Sequence, residues 1–438
     1  MSELDRLREG GVVGGGGAGF PLWKKLSTNA EVLLINGAEC EPLLRSDQFL
    51  MLYEADTLVC AANRLRELVG AERVMICLKE HYHAQRKALE AAIAKKALPV
   101  CLHELPTVYP IGDEQAVVRS ATGRTVPPGG LPGAVGCTVV SVSTAINAWH
   151  ALEGTPVTHR LVTVAGEVKR PGLYRVPVGT RVNDVLAAAG GLKEPCRLML
   201  GGPMMGVPQP EGSDPVVTKL CGGILALPVE HPLLHKALLP PQHVRNRARS
   251  VCIQCRTCTD LCPRYLAGHP IYPHLSMRAF AMGETLEKSA ALCMDCGVCE
   301  LYACPMGINP RAVQRAMKAQ LRARGERDAF ELSQANPFAE GRQVPSERLA
   351  VRIGVSQYAF EVPAMAVEVE PEGVRIPMCQ HIGAPAAPCV AVGDELHLGQ
   401  PIGRMATGAL GADVHASING RVAEVTPEAV RIERRAGV

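Results

Sequence analysis

The sequence lacks the features that would direct a chain into a membrane, onto nucleic acid or out of the cell. No apolar run approaches the roughly 20 residues that are needed to cross a bilayer. The formal charge of +3 is close to zero and the 46 basic residues are scattered, which excludes a strongly basic nucleic-acid or membrane-surface protein. The amino terminus, MSELDRLREGG, is charged where a secretory signal would be apolar. We therefore expect a cytoplasmic protein with no transmembrane segment and no nucleic-acid partner.

Cysteine is too sparse for a disulfide-stabilised scaffold. The chain has 17 cysteines in 438 residues, an odd number that cannot pair completely. A chain of this length can bury an ordinary hydrophobic core and does not need disulfides to fold. We therefore expect reduced thiols, some of which bind metal.

Eight of the cysteines form two closely spaced runs, each followed by proline. The first run, CIQCRTCTDLCP, has the spacing C-x2-C-x2-C-x3-C-P. In bacterial-type ferredoxins, three thiolates of such a run bind one [4Fe–4S] cluster and the fourth binds the other cluster. The second run, CMDCGVCELYACP, supplies the complementary set. This rule predicts one cluster on Cys252, Cys255, Cys258 and Cys304. It predicts a second cluster on Cys293, Cys296, Cys299 and Cys262.

Zinc is the alternative ligand for closely spaced cysteines. Four-cysteine zinc sites use two CxxC pairs separated by about 15 to 20 residues. Each run here holds a third thiol at the same short spacing, which a tetrahedral zinc site does not need, so clusters are favoured. The second run has four residues before its last cysteine where the first run has three. We therefore expect a local bulge at that point.

Four blocks of different character follow one another along the chain. Residues up to about 153 alternate the apolar runs EVLLING, RVMICL, PVCLHELP and CTVVSVSTA with helical patterns over 46–68 and 82–97, which predicts an α/β parallel sheet. Residues 156–228 contain two β-rich runs around the Pro171-Gly172 turn and a short helix that ends at Gly190-Gly191. Residues 235–330 are helical between the cysteine runs. Beyond about residue 345, short strands with glycine and proline at turns predict an all-β domain.

A glycine-rich stretch near the amino terminus, GVVGGGGAGFPLWKK, is a candidate binding loop. Glycine has no side chain, so backbone N–H groups of such a loop can approach a phosphate or a ring system closely. A flexible linker would also be rich in glycine, and no long strand precedes the stretch as in a dinucleotide fingerprint. The glycines concerned are Gly14, Gly15, Gly16, Gly17 and Gly19.

Polar residues follow the predicted strands. INGAECEP follows the first strand, Lys79 and Glu80 follow the second, Ser141, Ser143 and Thr144 close the last, and YPIGDE lies in the loop before it. Ligands of open α/β sheets bind in the crevice outside the carboxyl ends of the strands. Carboxylates there suit the hydroxyls of a ribose or ribityl chain, although solvated helix caps would also be acidic. The carboxylates concerned are Glu39, Glu41, Asp113 and Glu114.

These motifs resemble those of known redox families. GGGGAGFP, NGAECEP, YPIGDE and GGPMMG are similar to the flavin- and NADH-binding subunit of respiratory complex I and, more closely, to the RnfC family. VCIQCRTCTDLCPRYLAGHP and CGVCELYACPMGINPR look closer still to the PduS-type cobalamin reductases of propanediol-utilisation microcompartments. The likeness covers nearly the whole chain in the same order. The β-rich block that begins MCQHIGAPAAPCVAVGDELHLGQPI is C-terminal here, as in the microcompartment enzymes, whereas in RnfC it is N-terminal.

The resemblance implies a four-domain α/β plus α+β architecture. It implies a Rossmann-like FMN- and NADH-binding domain over 1–153, an SLBB β-grasp domain over 156–228, a helical ferredoxin-type dicluster domain over 235–330 and an RnfC-type barrel-sandwich hybrid over 345–438. The implied activity is that of an NADH-dependent cobalamin reductase with FMN, two [4Fe–4S] clusters and a corrinoid acceptor. A corrinoid adenosyltransferase and a shell protein of a bacterial microcompartment are the implied partners.

The resemblance also implies which residues form the flavin and nucleotide sites, by their positions in the shared motifs. The flavin-site positions are Asn36, Glu39, Tyr109, Gly112, Asp113 and Glu114, beside the glycine stretch. The nucleotide-site positions are Phe20, Lys25 and Glu41. Ala38 departs from the acidic residue of the complex I motif, and Val140-Ser141 depart from its paired asparagines, although the Ser141 hydroxyl can still form hydrogen bonds. These departures keep open a flavin-free electron-transfer protein docked on a shell. An RnfC-like electron-input subunit of a membrane complex is the other alternative.

The two remaining blocks contain no residue that demands a ligand. The SLBB-like module, from Leu161 to about Leu192, is either a binding domain or a spacer. The sequence LGGPMMG suits a loop where backbones approach closely, with core packing as the simpler interpretation. The C-terminal block resembles lipoyl and biotinyl carrier domains, but no lysine follows Lys318, which excludes acylation there. We expect this block to be a docking or packing surface.

Overall fold

The computed structural model describes residues 2–15, 17–283, 286–326 and 328–434, so Gly16 of the glycine-rich stretch lies outside the described residues. The N-terminal part is an α/β unit. Its elements are α1 (Glu3–Glu9), α2 (Leu22–Lys25), β1 (Val32–Gly37), α3 (Ser46–Tyr53), α4 (Ala55–Val69), β2 (Arg73–Lys79), α5 (His83–Lys96), β3 (Val100–Leu105), β4 (Val108–Tyr109), α6 (Glu114–Thr122), β5 (Cys137–Ser141) and α7 (Val142–Leu152).

Four of these strands form one parallel sheet in the order β3-β2-β1-β5. Val32, Leu33, Leu34 and Ile35 of the central strand β1 are at most 1% exposed. A parallel strand that is covered on both faces needs such a continuous apolar run. The predicted α/β unit with a parallel sheet is confirmed.

Two predicted boundaries differ from the structure. The helical pattern over 46–68 forms two helices, because Glu54 leaves the helical region with φ −118° and ψ 30°. The run CTVVSVSTA is not a single strand. β5 ends at Ser141, whose hydroxyl accepts the N–H of Thr144 (3.4 Å) and caps α7. Ser143 and Thr144 therefore lie in the first turn of that helix.

The second part forms most of a six-stranded mixed sheet. It contains β6 (His159–Gly166), β7 (Gly172–Pro177), α8 (Val182–Ala188), β8 (Cys196–Leu200), β9 (Val207–Pro208) and β10 (Gly223–Pro228). A two-residue strand from the C-terminal part, Val367–Glu368, adds to its edge by pairing with β7. β6 and β7 are antiparallel around the Pro171-Gly172 turn, as the sequence predicts.

The third part is helical and carries both cysteine runs. Its helices are α9 (Pro232–Ala237), α10 (Pro241–Val251), α11 (Thr257–Asp260), α12 (Pro263–Leu266), α13 (Pro273–Met282) and α14 (Pro310–Ala323), with a 3-10 helix over Lys288–Leu292 and a π-helix over Val298–Ala303. Val244 of α10, Met277 of α13 and Val313 and Met317 of α14 pack into one core. None of the helices in the described ranges is long and apolar enough to span a bilayer.

The C-terminal part is mainly β. It contains β11 (Val344–Pro345), α15 (Ser346–Arg352), β12 (Val367–Glu368), β13 (Gly373–Pro377), β14 (Ala387–Pro388), β15 (Glu395–Leu396), β16 (Pro401–Arg404), β17 (Val414–His415), β18 (Gly420–Val425) and β19 (Ala429–Glu433). Two small sheets, β13-β19-β18-β15 and β14-β16-β17, enclose an aliphatic core. β11 and α15 do not join that core, because β11 pairs with β4 and Leu349 of α15 packs beside Tyr109.

The C-terminal sheets pack against the glycine-rich stretch of the first part. The indole N–H of Trp23 donates to the carbonyl of Gly411 (2.7 Å), and the N–H of Ile382 donates to the carbonyl of Gly19 (3.2 Å). The buried Lys219 donates to the carbonyls of Gly11 (2.8 Å) and Asp413 (3.0 Å), which joins three parts of the chain. The C-terminal part therefore supplies a packing surface, one of the two roles expected for it.

Candidate cofactor-binding site

The eight cysteines of the two runs line two separate cavities. One cavity is lined by Cys252, Cys255, Cys258 and Cys304. The other is lined by Cys262, Cys293, Cys296 and Cys299. Each cavity thus takes three thiols from one run and the last thiol of the other run. This is the crossed grouping that the spacing rule predicts for a pair of [4Fe–4S] clusters.

The thiols surround each cavity without meeting at one point. Among the described residues, no three His, Cys, Asp or Glu side chains come close enough together to hold a single metal ion. A tetrahedral zinc site requires such convergence, whereas each thiolate of a [4Fe–4S] cluster binds a different iron. Each cavity is lined by four thiols, which is the number that a [4Fe–4S] cluster needs, one for each iron.

The two cysteine loops share an unusual backbone conformation. In the first loop Gln254 and Arg256 have φ values of 53° and 67°, and in the second Asp295 and Gly297 have φ values of 66° and 79°. These residues occupy equivalent positions after the first cysteine of each run. Non-glycine residues adopt the left-handed region at a cost, which is accepted where the fold requires a particular turn. The turns direct three successive thiols to the same cavity.

The extra residue of the second run is accommodated by a helical irregularity. The π-helix over Val298–Ala303 contains Cys299 and ends directly before Cys304, and a π-turn contains one more residue than an α-turn. The predicted local bulge is confirmed.

Polar groups also point at the thiols: the Gln254 amide donates to Cys252 Sγ (3.2 Å) and the Thr257 hydroxyl to Cys255 Sγ (3.3 Å).

Burial affects the chemistry of the thiols. Burial raises the pKa of Cys258 to about 12 and that of Cys262 to about 11. Thiols with such pKa values are protonated at neutral pH, whereas thiolate ligands must be deprotonated.

The cavity lined by Cys262 and Cys296 lies against the first part of the chain. The hydroxyl of Tyr109 donates to the carbonyl of Cys296 (2.8 Å). Arg264, two residues after Cys262, forms a bidentate pair with Asp113 (2.6 and 3.0 Å), and the two side chains are only 11% and 15% exposed. Tyr109 and Asp113 are predicted flavin-site residues, so the structure brings this thiol set to the predicted flavin crevice.

Other predicted flavin-site residues lie close together but are already bonded to protein groups. The Asn36 amide donates to the carbonyl of Gly112 (2.8 Å). Glu39, in the left-handed region with φ 35°, accepts the N–H groups of Asp47 (2.8 Å) and Gln48 (3.2 Å) at the start of α3. Burial raises the pKa of Glu39, and these hydrogen bonds oppose that rise. Glu39 therefore serves as a helix cap.

Lysine and carboxylate pair on the neighbouring side of the crevice. Lys25 Nζ donates to Glu114 Oε1 (2.6 Å) and to the carbonyl of Val139 on β5 (2.9 Å). Asp113 caps α6 by accepting the N–H of Ala116 (3.2 Å). The predicted nucleotide-site residue Lys25 thus lies beside the predicted flavin-site residue Glu114.

Glu41 is a buried carboxylate with one unused oxygen. Its Oε2 accepts the N–H of Met204 (2.9 Å) from the loop LGGPMMG, while its Oε1 is buried and has no hydrogen-bond partner among the described residues. Gly202 permits this contact, since a Cβ there would lie 2.3 Å from Glu41 Oε2. Burial raises the pKa of Glu41 to about 7, although backbone N–H groups of the loop and Arg311 oppose the rise. An unpaired buried acceptor fits a hydroxyl donor of a nucleotide.

The glycine-rich stretch is held at Gly15 and is open at Gly17. The N–H of Gly15 donates to the hydroxyl of Thr144 (3.0 Å), which in turn lies 2.7 Å from the hydroxyl of Ser141. A Cβ on Gly17 would meet nothing within 4 Å. Gly19 has a φ of 72°, and Phe20 accepts the N–H of Gly14 through its carbonyl (3.0 Å). The described part of the loop therefore leaves room for a ligand at its tip.

Sequence reasoning missed a buried arginine and a partly buried aspartate beside this loop. Arg160, the second residue of β6, donates from Nη2 to the carbonyl of Gly15 (2.9 Å). Burial lowers the pKa of Arg160, and Asp47, at the start of α3, is the neighbouring group that opposes this most. An arginine at the head of the apolar run LVTVAG was the signal, because charged residues are rarely buried unless paired.

Four family models match the chain in succession. They are the Nuo51 FMN-binding domain over residues 7–150, the SLBB domain over 161–208, the 4Fe-4S dicluster domain over 251–309 and the RnfC barrel sandwich hybrid domain over 361–436. These matches agree with the order of the α/β, mixed-sheet, helical and β parts in the structure.

Similar proteins span the full chain. The cobalamin reductase PduS of Salmonella typhimurium is 43% identical over 437 residues, covering 98% of this chain and 96% of the relative. The cobalamin reductase PduS of Citrobacter freundii is 41% identical over the same shares. A component of the proton-translocating ferredoxin:NAD(+) oxidoreductase complex of Clostridium ljungdahlii is 36% identical over 273 residues, which is 60% of this chain and 56% of the relative.

Proposed function

Because the chain belongs to the PduS family of cobalamin reductases, we propose that it passes electrons from NADH through FMN and two [4Fe–4S] clusters to a corrinoid. It is an oxidoreductase with an FMN-binding domain and a dicluster domain. The observation that carries the proposal is the crossed arrangement of eight thiols in two cavities. One cavity is lined by Cys296 and Arg264, which bond to Tyr109 and Asp113 of the first part.

The residues present fit a flavin at the carboxyl ends of the parallel strands. The open Gly17 leaves space, and the hydroxyls of Ser141 and Thr144 lie behind Gly15 at the end of β5. Asn36 and Gly112 form the wall between β1 and α6. FMN held there would supply the chemistry that links hydride transfer from NADH to the release of single electrons. The chain supplies the binding groups, most of which are partly buried at the strand ends.

Glu41 and Phe20 are the proposed contacts for NADH. Glu41 offers an unpaired oxygen to a ribose hydroxyl, and Phe20 is a partly buried aromatic residue that follows the glycine stretch. Lys25 supplies a positive charge near the phosphates, although its pairing with Glu114 reduces that charge. The departures at Ala38 and Val140 leave two hydrogen-bonding groups of the complex I motif without an equivalent.

Finer features of the architecture and setting belong to the same proposal. We assign a Rossmann-like fold to 1–153, a β-grasp fold to 156–228, a ferredoxin-type fold to 235–330 and a barrel-sandwich hybrid to 345–438. The proposed partners are a corrinoid adenosyltransferase and a microcompartment shell protein, and the proposed location is the cytoplasmic interior of such a compartment. These assignments are supported by the similarity to PduS along the whole chain.

Anaerobic purification with iron, sulfide and flavin analysis tests the proposal. We expect about eight irons and one FMN per chain, and NADH-dependent reduction of aquacobalamin. The variant Cys262→Ser should lose the ability to reduce cobalamin, whereas Cys101→Ser, an exposed cysteine outside the runs, should retain it. Protein that contains zinc or no metal at these thiols would refute the cluster assignment. NADH oxidation with artificial acceptors, but none with cobalamin, would refute the proposed acceptor.

A further inference from the structure

Arg160 connects the second part of the chain to the glycine-rich stretch of the first part. It lies near the start of β6 and is only 7% exposed. Its Nη2 donates to the carbonyl of Gly15 (2.9 Å), and its Nε donates to the carbonyl of Cys221 (3.2 Å). A side chain of one part thus bonds both to its own part and to the candidate binding loop of another.

Gly15 is held on both of its backbone groups. Its carbonyl accepts from Arg160, and its N–H donates to Thr144 at the start of α7. A Cβ on Gly15 would lie 2.7 Å from Arg160 Nη1, so glycine is needed for the guanidinium to approach. Gly17, two residues further, has open space around it. The base of the loop is therefore fixed, and its tip is free for a ligand.

Neighbouring acidic groups lower the cost of burying this guanidinium. Burial lowers the pKa of Arg160, and Asp47, Cys221 and Glu39 oppose that effect. Burial raises the pKa of Asp47, as does the neighbouring Glu39, while Arg160 and hydrogen bonds from Ser143 lower it. A buried charge without such partners would be strongly unfavourable. Asp47 lies in the first turn of the helix α3 that follows the loop NGAECEP, so this influence comes from the side of the crevice that the loop lines.

We propose that Arg160 is a positioning residue for the nucleotide- and flavin-binding loop, and that the SLBB part contributes to the site in this way. The inference rests on the proposed function, since it assigns the glycine stretch to cofactor binding. It explains what the second part does without requiring a ligand of its own. A charge-assisted hydrogen bond to a backbone carbonyl is stronger than a neutral one and fixes direction.

The test compares Arg160→Gln with Arg160→Lys and with Arg175→Gln. Arg175 lies on the adjacent strand β7, and its side chain is 58% exposed, so it controls for the loss of an arginine from this sheet. Hydrogen exchange of the segment 12–20 is measured in FMN-free protein. FMN binding is followed by fluorescence quenching, and the KM for NADH and kcat are measured in loaded enzyme.

Arg160→Gln should speed exchange of the Gly15 segment and weaken FMN binding, each by about tenfold or more, because a charge-assisted hydrogen bond is lost. Arg160→Lys should give intermediate values, and Arg175→Gln should match the unsubstituted protein. The KM for NADH should rise more than kcat falls, with iron content unchanged. Unchanged exchange together with an FMN affinity within about twofold would overturn the inference.

Two further outcomes separate this inference from the proposed function. If Arg160→Gln does not fold, Arg160→Met provides the second variant, since it keeps an unbranched side chain and removes the donors to Gly15 and Cys221. Equal exchange of the Gly15 segment in that variant and the unsubstituted protein would overturn the inference. If the unsubstituted protein binds neither FMN nor NADH, the proposed function fails. The exchange comparison in FMN-free protein still decides whether Arg160 holds the loop.

Discussion

Replacing Glu41 with glutamine should stabilise the ligand-free protein at pH 8 and have a much smaller effect at pH 5. Glu41 Oε2 accepts a backbone N–H from the loop LGGPMMG, and glutamine can retain that bond through its carbonyl oxygen. The other carboxylate oxygen is buried without a partner among the residues that the structure describes. The substitution therefore removes a poorly solvated negative charge and preserves the contact between the two parts of the chain.

The sign and size of the effect follow from the pKa of Glu41. Burial raises this pKa from 4.5 to about 7. A carboxyl with a higher pKa in the folded state binds more protons when folded, so its contribution to stability is fully present below pH 4.5 and is lost as the pH rises through 7. At about 1.4 kcal/mol per pKa unit, the full loss is roughly 3 kcal/mol. Most of it falls between pH 5 and pH 8.

Urea unfolding at a series of pH values measures this effect. The free energy of unfolding of the unsubstituted protein should decline relative to that of Glu41→Gln as the pH rises from 5 to 8. Because a multidomain chain need not unfold in a single step, the transition of the N-terminal part is followed by hydrogen exchange of β1. Glu211→Gln, in an exposed turn, is the matched control. Parallel pH profiles for the unsubstituted protein and Glu41→Gln would refute the reasoning.

Three other substitutions test the contacts between parts of the chain. Cys262→Ser should remove the cluster held mainly by the second run and leave about half of the iron. Electron paramagnetic resonance should show the first-run cluster intact. Loss confined to the first-run cluster would contradict the crossed grouping. Asp113→Asn should leave Arg264 without its charged partner and lower stability by roughly 3 kcal/mol in urea unfolding, while a change below about 0.5 kcal/mol would show that the pair is solvated. Gly202→Ala should lower stability by roughly 1 to 3 kcal/mol, because its Cβ would lie 2.3 Å from Glu41 Oε2. Gly133→Ala is the control and should leave stability unchanged, because a Cβ there would meet nothing within 4 Å.

The sequence was most informative where a local pattern determines a local structure. The apolar runs before NGAECEP and after Gly70 predict β1 and β2, because a strand buried on both faces must be continuously apolar. The cysteine spacing predicts which thiols share a cavity, because a short loop can direct three of them to the lining of one cavity. The additional residue before Cys304 predicts an irregularity, and a π-helix is found there.

Prediction was weaker where a residue's partner lies far along the chain. The acidic residues after the strands are predicted ligand contacts, and the sequence does not reveal their protein partners: Arg264 for Asp113 and the loop at Met204 for Glu41. The spacing of these partners in sequence, 151 and 163 residues, has no local signature. The expected all-β block also begins with α15, which packs beside Tyr109 because its apolar face matches that surface and not the β core.

The long-range contacts change how the candidate site is understood. The resemblance places its residues within the first 153 residues, but the second part reaches the same strand ends at two points: Met204 meets Glu41, and Arg160 meets Gly15. The third part adds Arg264 on Asp113, and the C-terminal part adds Gly411 on Trp23 next to the glycine stretch. An α/β unit alone would expose these groups to water. Buried electrostatic contacts are stronger than exposed ones. The surrounding parts therefore strengthen the contacts that the first part can make with a cofactor. Isolating residues 1–153 should weaken FMN binding even where the sheet remains folded.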